Sequence, residues 1–199
     1  MLLAAAAIAD PAAAQQPDQP AKPSQRVPKP APKPDDTDAA PAAKPGGDQG
    51  NRPKLLGQFD SWGAYLAAPN GRKVCFVIAK PTSSQTTPPN RPRNPAYLFI
   101  ASRPADKVAD EVSIMIGYPF KPSSEATAEV GSTSFALYTQ QDGAWIKNLT
   151  EESRMIEAMR QGQSVVVKGS STKGTQSTDT FSLKGLSQAL DRADQECKS

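Results

Sequence analysis

Beyond Ser61 the chain alternates short apolar runs with clusters of Gly, Pro, Asn and Asp, and the period of the apolar positions assigns most of the runs. Ser61–Pro81 reads as a β-hairpin. Trp62, Tyr65, Val74, Phe76, Val77 and Ile78 suit strands, and Pro69-Asn70-Gly71 supplies a preset φ followed by two residues that accept positive φ. Thr82–Pro95 reads as a long loop, because Pro88, Pro89, Pro92 and Pro95 remove donors that a ladder needs. Ala96–Ser102 is a continuous apolar run of strand composition, ended by Pro104. In Glu111–Tyr118, Val112, Ile114 and Ile116 alternate with Ser113, Met115 and Gly117, the pattern of a strand with one buried face. Tyr118-Pro119 is a candidate cis bond at a corner. A short strand is expected at Thr127–Val130, and Ser134–Gln140 sets Phe135 and Leu137 against Ala136 and Tyr138. Asp142-Gly143 signals a turn into Ala144–Lys147, with Trp145 expected in the core or, alternatively, lining a shallow surface groove.

At Asn148 the period becomes helical. Thr150 is positioned to cap, Glu151 and Glu152 suit the first turn, Met155, Ile156 and Met159 share a face, and Gly162 stops the helix. Ser164–Gly169 and Thr178–Leu183 read as strands either side of a Gly/Ser/Thr loop. Gly185–Lys198 reads as a last helix, with Leu186, Ala189, Leu190, Ala193 and Cys197 on one stripe. The expected fold is mainly β: an antiparallel β-sandwich of about 8 strands with two accessory helices at about 150–161 and 184–197.

The first quarter lacks this patterning. Residues 1–14, MLLAAAAIADPAAA, resemble a signal peptide, with small residues before Gln15 and an apolar run too short to span a bilayer. Residues 15–54 are rich in Pro, Ala and Lys and read as a disordered linker with polyproline II character. That linker is expected to be a solubilising segment without a partner; the alternatives are a spacer that holds the domain away from an attachment point and a contact for a polyanionic cell wall. Residues 55–199 form the folded domain.

Charge and chemistry narrow the function classes. The 199 residues carry a net charge of +3, and the basic residues are dispersed, which argues against a nucleic-acid partner. The chain has no histidine, so the usual neutral-pH base and the commonest metal ligand are missing. No phosphate-binding loop, metal-ligand spacing or serine nucleophile elbow is present in the sequence, and no catalytic residue, cofactor or metal is expected. Cys75 on an early strand and Cys197 on the inward stripe of the last helix are placed to form a disulfide if the chain is exported. Two separate buried thiols are the alternative, and a catalytic thiolate would have no histidine to activate it. Arg91 and Arg93 flank Pro92 in the long loop as a candidate binding loop for a carboxylate or phosphate; the alternative is a solvated loop with two charges.

The segments WGAYLAAPNGRKVCFVIAKP, EVSIMIGYPF, QDGAWIKN, EAMRQGQSVVVKGSS and TFSLKGLSQALDRADQEC occur in this order from about Leu55 to Lys198. In this the chain resembles the bacterial invasion-associated locus B family. The resemblance implies a periplasmic or outer-membrane-associated β-sandwich with accessory helices, in a family named for a link with entry into host cells. Many members carry a cysteine soon after the first Trp; here Tyr65, Leu66, Ala67 and Ala68 stand there, which favours Cys197 as the partner of Cys75.

The function expected is that of a non-enzymatic exported envelope protein, a binding or surface-interaction module without a transmembrane span. Its partner would be an envelope or host-surface protein, or a cell-wall polymer. A cell-wall-acting enzyme or enzyme regulator, and a structural or chaperone-like periplasmic protein, are the alternatives.

Overall fold

A computed structural model of the chain describes residues 52–198. The signal-like reading of 1–14 and the linker reading, as far as residue 51, lie outside the described residues. The elements in order are β1 (Lys54–Phe59), β2 (Trp62–Ala67), β3 (Val74–Ala79), β4 (Ser83–Thr87), β5 (Tyr97–Arg103), β6 (Val108–Met115), β7 (Glu125–Val130), β8 (Thr133–Gln140), β9 (Gly143–Ile146), α1 (Leu149–Gln161), β10 (Ser164–Ser170), β11 (Gln176–Ser182) and α2 (Leu186–Lys198). The fold is mainly β with two helices, as the periodicity implies, but the strands number eleven rather than about eight and form one antiparallel sheet. Their order is β1-β2-β3-β5-β6-β9-β8-β7-β10-β11-β4.

The two strands the pattern misses are the two edges of that sheet. β1 carries Gly57 and an exposed Leu55, and β4 is Ser-Ser-Gln-Thr-Thr, without an apolar residue. An edge strand is held by its ladder on one side and need not bury a face of its own, so alternation cannot reveal it. β4 also corrects the reading of Thr82–Pro95 as loop throughout: the prolines begin only at Pro88, and Ser83–Thr87 pairs with Thr180–Gln176 of β11.

The sheet rolls over on itself. Only residues 80–82 connect β3, near one edge, to β4 at the other, so the two edges must lie close in space. Trp62 on β2 donates its indole N–H to the Ser182 carbonyl of β11 at 2.9 Å, stitching the ends together across the roll. Inward-facing residues fill the space between: Trp62 and Ala64 from β2, Val77 from β3, Leu98 and Ile100 from β5, Val112 and Ile114 from β6, Phe135 and Leu137 from β8, Val165 and Val167 from β10, and Phe181 from β11. Except at Gly63 of β2, which is buried under the Tyr65 ring, they alternate with exposed or half-buried neighbours, as a sheet with one packed face requires.

The helices complete this core. α2 lies against β1, β2 and β3 and buries Leu186, Ala189, Leu190 and Ala193. α1 packs on β6 to β9 and buries Met155, Ile156 and Met159. Its cap is Asn148 rather than Thr150: the Asn148 side chain accepts the Glu151 N–H at 2.9 Å, leaving Thr150 within the first turn. Ahead of α2, Gly185 adopts φ +89°, and a Cβ there would stand 2.1 Å from the Phe59 carbonyl oxygen. The β1–β2 turn therefore seats on Gly185, a fit only glycine permits.

Candidate functional site

The sequence singles out four residues, Cys75, Cys197, Arg91 and Arg93, and the structure joins the two cysteines but separates the two arginines. Cys75 and Cys197 are joined, S–S 2.09 Å and Cα–Cα 5.9 Å, across 122 residues. The bond fastens the last turn of α2 to the start of β3, where Lys73 Nζ also donates to the Glu196 carbonyl at 3.1 Å. Both sulfurs are engaged, so neither is available as a thiolate.

Arg91 and Arg93 do not make a common basic tip. Arg93 turns inward. It grips Asp179 through both terminal nitrogens, Nη1 to Oδ2 at 2.7 Å, and Nη1 also donates to the Ile116 carbonyl at 2.9 Å. Asp179 sits on the packed face of β11 and is fully buried, and Ser84 of β4 donates to its other oxygen at 2.7 Å. The Asp179 hydrogen bond raises the Arg93 pKa against the opposing effect of burial. Beside it Tyr118 donates to Ser177 at 2.6 Å, and burial pushes its phenol up. Sequence reasoning missed Asp179, although the signal existed. In TDTFSL, Asp179 shares a face with Phe181, and an acid on an inward face requires a cation.

This clamp fixes the loop that follows β4. Asn94 N–H donates to the Gly117 carbonyl at 3.0 Å, and Gly117, at φ +79°, has no Cβ to strike Asn94 O, which a Cβ would approach to 2.0 Å. A cis bond lies at Thr87-Pro88, not at the Tyr118-Pro119 corner the sequence suggested. With Arg93 anchored, Arg91 is left on the surface, its backbone N–H held by Thr86 Oγ1 at 3.1 Å.

Arg91 faces a cavity of about 290 Å³ between this loop and the β10–β11 hairpin. The far wall is Ser171–Thr175. Buried Ser171 accepts the N–H groups of Lys173 (3.2 Å) and Thr175 (3.0 Å) on its hydroxyl, and Thr172 N–H donates to the Pro119 carbonyl at 3.1 Å. The hairpin is thus rigid at its base and presents Lys173 outward. Among the described residues, neither the Arg91 guanidinium nor the Lys173 ammonium engages an acid, and no acid lines the cavity. The sequence carried no signal for Lys173, which lies 82 positions beyond Arg91.

The outer face of the sheet is divided. Over β4, β11, β10 and β7 it is polar, with Gln85, Thr178, Thr127 and Lys168 around an open groove of about 300 Å³. Over β2, β3 and β5 it carries rings: Tyr65 stacks on Phe76, 5.3 Å between centroids, and Phe76 lies 6.4 Å from Phe99. Further along, Tyr138 stacks on Trp145 at 5.7 Å. Trp145 is therefore not a core residue. It is half-buried on this outer face, donates to Ser113 Oγ at 2.8 Å, and lies flat over Gly143, where a Cβ would come within 2.3 Å of the ring. That contact explains why the residue after Asp142 is glycine: Gly143 is the first residue of β9, and the turn itself is Gln141-Asp142.

A separate group of acids lies where α1 meets β6. Glu152 accepts the Val112 N–H at 2.7 Å, and burial, reinforced by Glu111 and Asp110, pushes its carboxyl above the ordinary range despite Arg103 nearby. Among the described residues, no group of three or more potential metal-ligating side chains is arranged to hold an ion. No helix there is long and apolar enough to cross a membrane.

A family model described as Invasion associated locus B (IalB) protein matches residues 65–194. The match takes in Cys75, Arg91, Arg93, Lys173 and Asp179, and stops short of Cys197. No curated protein and no solved structure matches the chain.

Proposed function

The chain belongs to the invasion associated locus B family, and from that membership we propose that it is an exported, non-enzymatic envelope protein whose β domain binds another component of the envelope. The observation that carries the reading is the Cys75–Cys197 bond. Disulfides of this kind persist in oxidising compartments and are rare where glutathione and thioredoxin keep thiols reduced. Closing a loop of this length is worth about 4–5 kcal/mol on the chain-entropy account, so the domain is built to depend on that compartment. Binding is supported by the anchored loop after β4. A loop held by a buried ion pair that presents Arg91, without an acidic partner among the described residues, to a cavity it shares with Lys173 is organised for contact rather than only for connection. A non-enzymatic role is supported by a chain with no histidine and with both cysteines bonded.

Cell fractionation of the native producer, followed by non-reducing peptide mapping, tests the location. The bonded Cys75–Cys197 peptide pair is expected in the periplasmic fraction, and recovery of only reduced protein from cytosol would overturn the reading. Envelope crosslinking then tests binding: a reproducible partner, protein or polymer, is expected. Hydrolysis of peptidoglycan by the purified protein would replace this reading with that of a cell-wall enzyme.

A further inference from the structure

We propose that the cavity between the loop after β4 and the Ser171–Thr175 hairpin is a binding site for an anionic saccharide, a sugar unit bearing a carboxylate or phosphate. The inference rests on the envelope-binding reading and names the ligand class for it.

The cavity wall complements such a ligand in charge and in polarity. Arg91 and Lys173 approach the cavity from opposite walls, on segments fixed independently of any ligand. Two cations that engage no acid among the described residues and share one concavity attract an anion, and their segments are held before binding, so little ordering entropy is lost. The remainder of the wall is not that of a simple ion site. Thr86 and Thr172 supply hydroxyls that both donate and accept, and Pro92 and Tyr118 supply apolar surface. Sugars have this mixed character, with hydroxyls around the rim of the ring and apolar C–H faces. A cavity near 290 Å³ is at the small end of ligand sites, the size for one sugar unit rather than a long segment.

Titration calorimetry on the full purified chain tests this with four probes: a glucuronate-containing disaccharide, glucose 6-phosphate, lactose and sodium acetate. At least one of the two anionic sugars is expected to bind at least tenfold more tightly than lactose and acetate, and the preference between them identifies carboxylate or phosphate as the source. Arg91→Gln and Lys173→Gln are each expected to weaken that binding about tenfold, the loss of one charge-assisted hydrogen bond. Both residues are exposed and engage no acid among the described residues, so the wild-type thermal midpoint is expected in each variant. Should a variant lose that midpoint, salt decides instead: binding must weaken between about 50 and about 500 mM salt. Failure of both anionic sugars to bind, equal binding of acetate, or binding indifferent to both substitutions and to salt would overturn the proposal. These outcomes concern purified protein, whereas the envelope reading fails on location, so the two failures are distinguishable.

Discussion

Arg93 and Asp179 stand 86 positions apart in sequence and form a two-pronged ion pair inside the domain, the carboxylate wholly buried on β11. The pair carries the loop after β4 down onto the rolled sheet, and with it the position of Arg91. Asp179→Ala leaves a nearly buried guanidinium without its counter-charge. It is expected to cost about 3–5 kcal/mol in urea unfolding, and a loss below about 1 kcal/mol would show the clamp to be incidental. Replacing both residues by apolar ones of similar size is expected to cost less than either truncation alone.

Reduction of the disulfide acts on the unfolded state. Cys75→Ser with Cys197→Ser is expected to lower unfolding free energy by up to about 4–5 kcal/mol, with dithiothreitol doing the same to the wild type and nothing further to the variant. The check is a pair of urea curves with and without reductant. Coincident wild-type curves would remove the disulfide as a source of stability.

Gly117 tests whether the loop is held where the geometry says. Gly117→Ala forces a left-handed φ on a residue with a Cβ and drives that atom into the Asn94 carbonyl. A loss of about 2 kcal/mol or more is expected, together with faster tryptic cleavage after Arg93. Stability loss with cleavage unchanged would mean the strain is relieved elsewhere.

The acids at the α1–β6 contact give a pH signature opposite to that of ordinary paired carboxylates. Burial raises the Glu152 pKa above its ordinary value of 4.5, with Glu111 and Asp110 of β6 adding to it, while the Val112 N–H and Arg103 of β5 oppose it. The folded state therefore holds its proton longer than the unfolded chain. The stability linked to that proton is complete below the unfolded pKa and is lost as pH rises through the folded one. Asp194 of α2 is raised in the same sense, first by burial and then by Asp110. Glu152→Gln keeps an oxygen for Val112 N–H and removes the charge. Thermal midpoints from pH 4 to 7.5 should show the variant gaining on the wild type as pH rises. A constant difference would rule out the raised pKa.

The two tryptophans should also separate by quenching. Trp62 is fully buried, whereas Trp145 lies on the outer face. Acrylamide is expected to quench most of the accessible emission through Trp145, so Trp145→Phe should leave a blue-shifted, poorly quenched spectrum. An unchanged quenching constant would return Trp145 to the interior.

The sequence by itself determined the parts of this protein that bury one face. Val112, Ile114 and Ile116, Phe135 and Leu137, and the stripes on α1 and α2 all report burial through their spacing, because period and burial have the same cause. It also placed Cys75 and Cys197 where they could meet, since both fall on inward-facing positions. Tertiary structure alone decided the remainder. Edge strands β1 and β4 take their hydrogen bonds from a neighbour and leave little apolar signature. Trp145 faces outward because strand parity, set by Ala144 and Ile146 turning in, overrides the affinity of a large ring for the core. Arg91 and Arg93, separated only by Pro92, part company because Asp179 arrives from β11 to take one of them, while Lys173 comes from the neighbouring hairpin to face the other. Ion pairs and cavities of this kind join residues distant in sequence. Their partners are fixed only once the sheet has rolled and its edges have met.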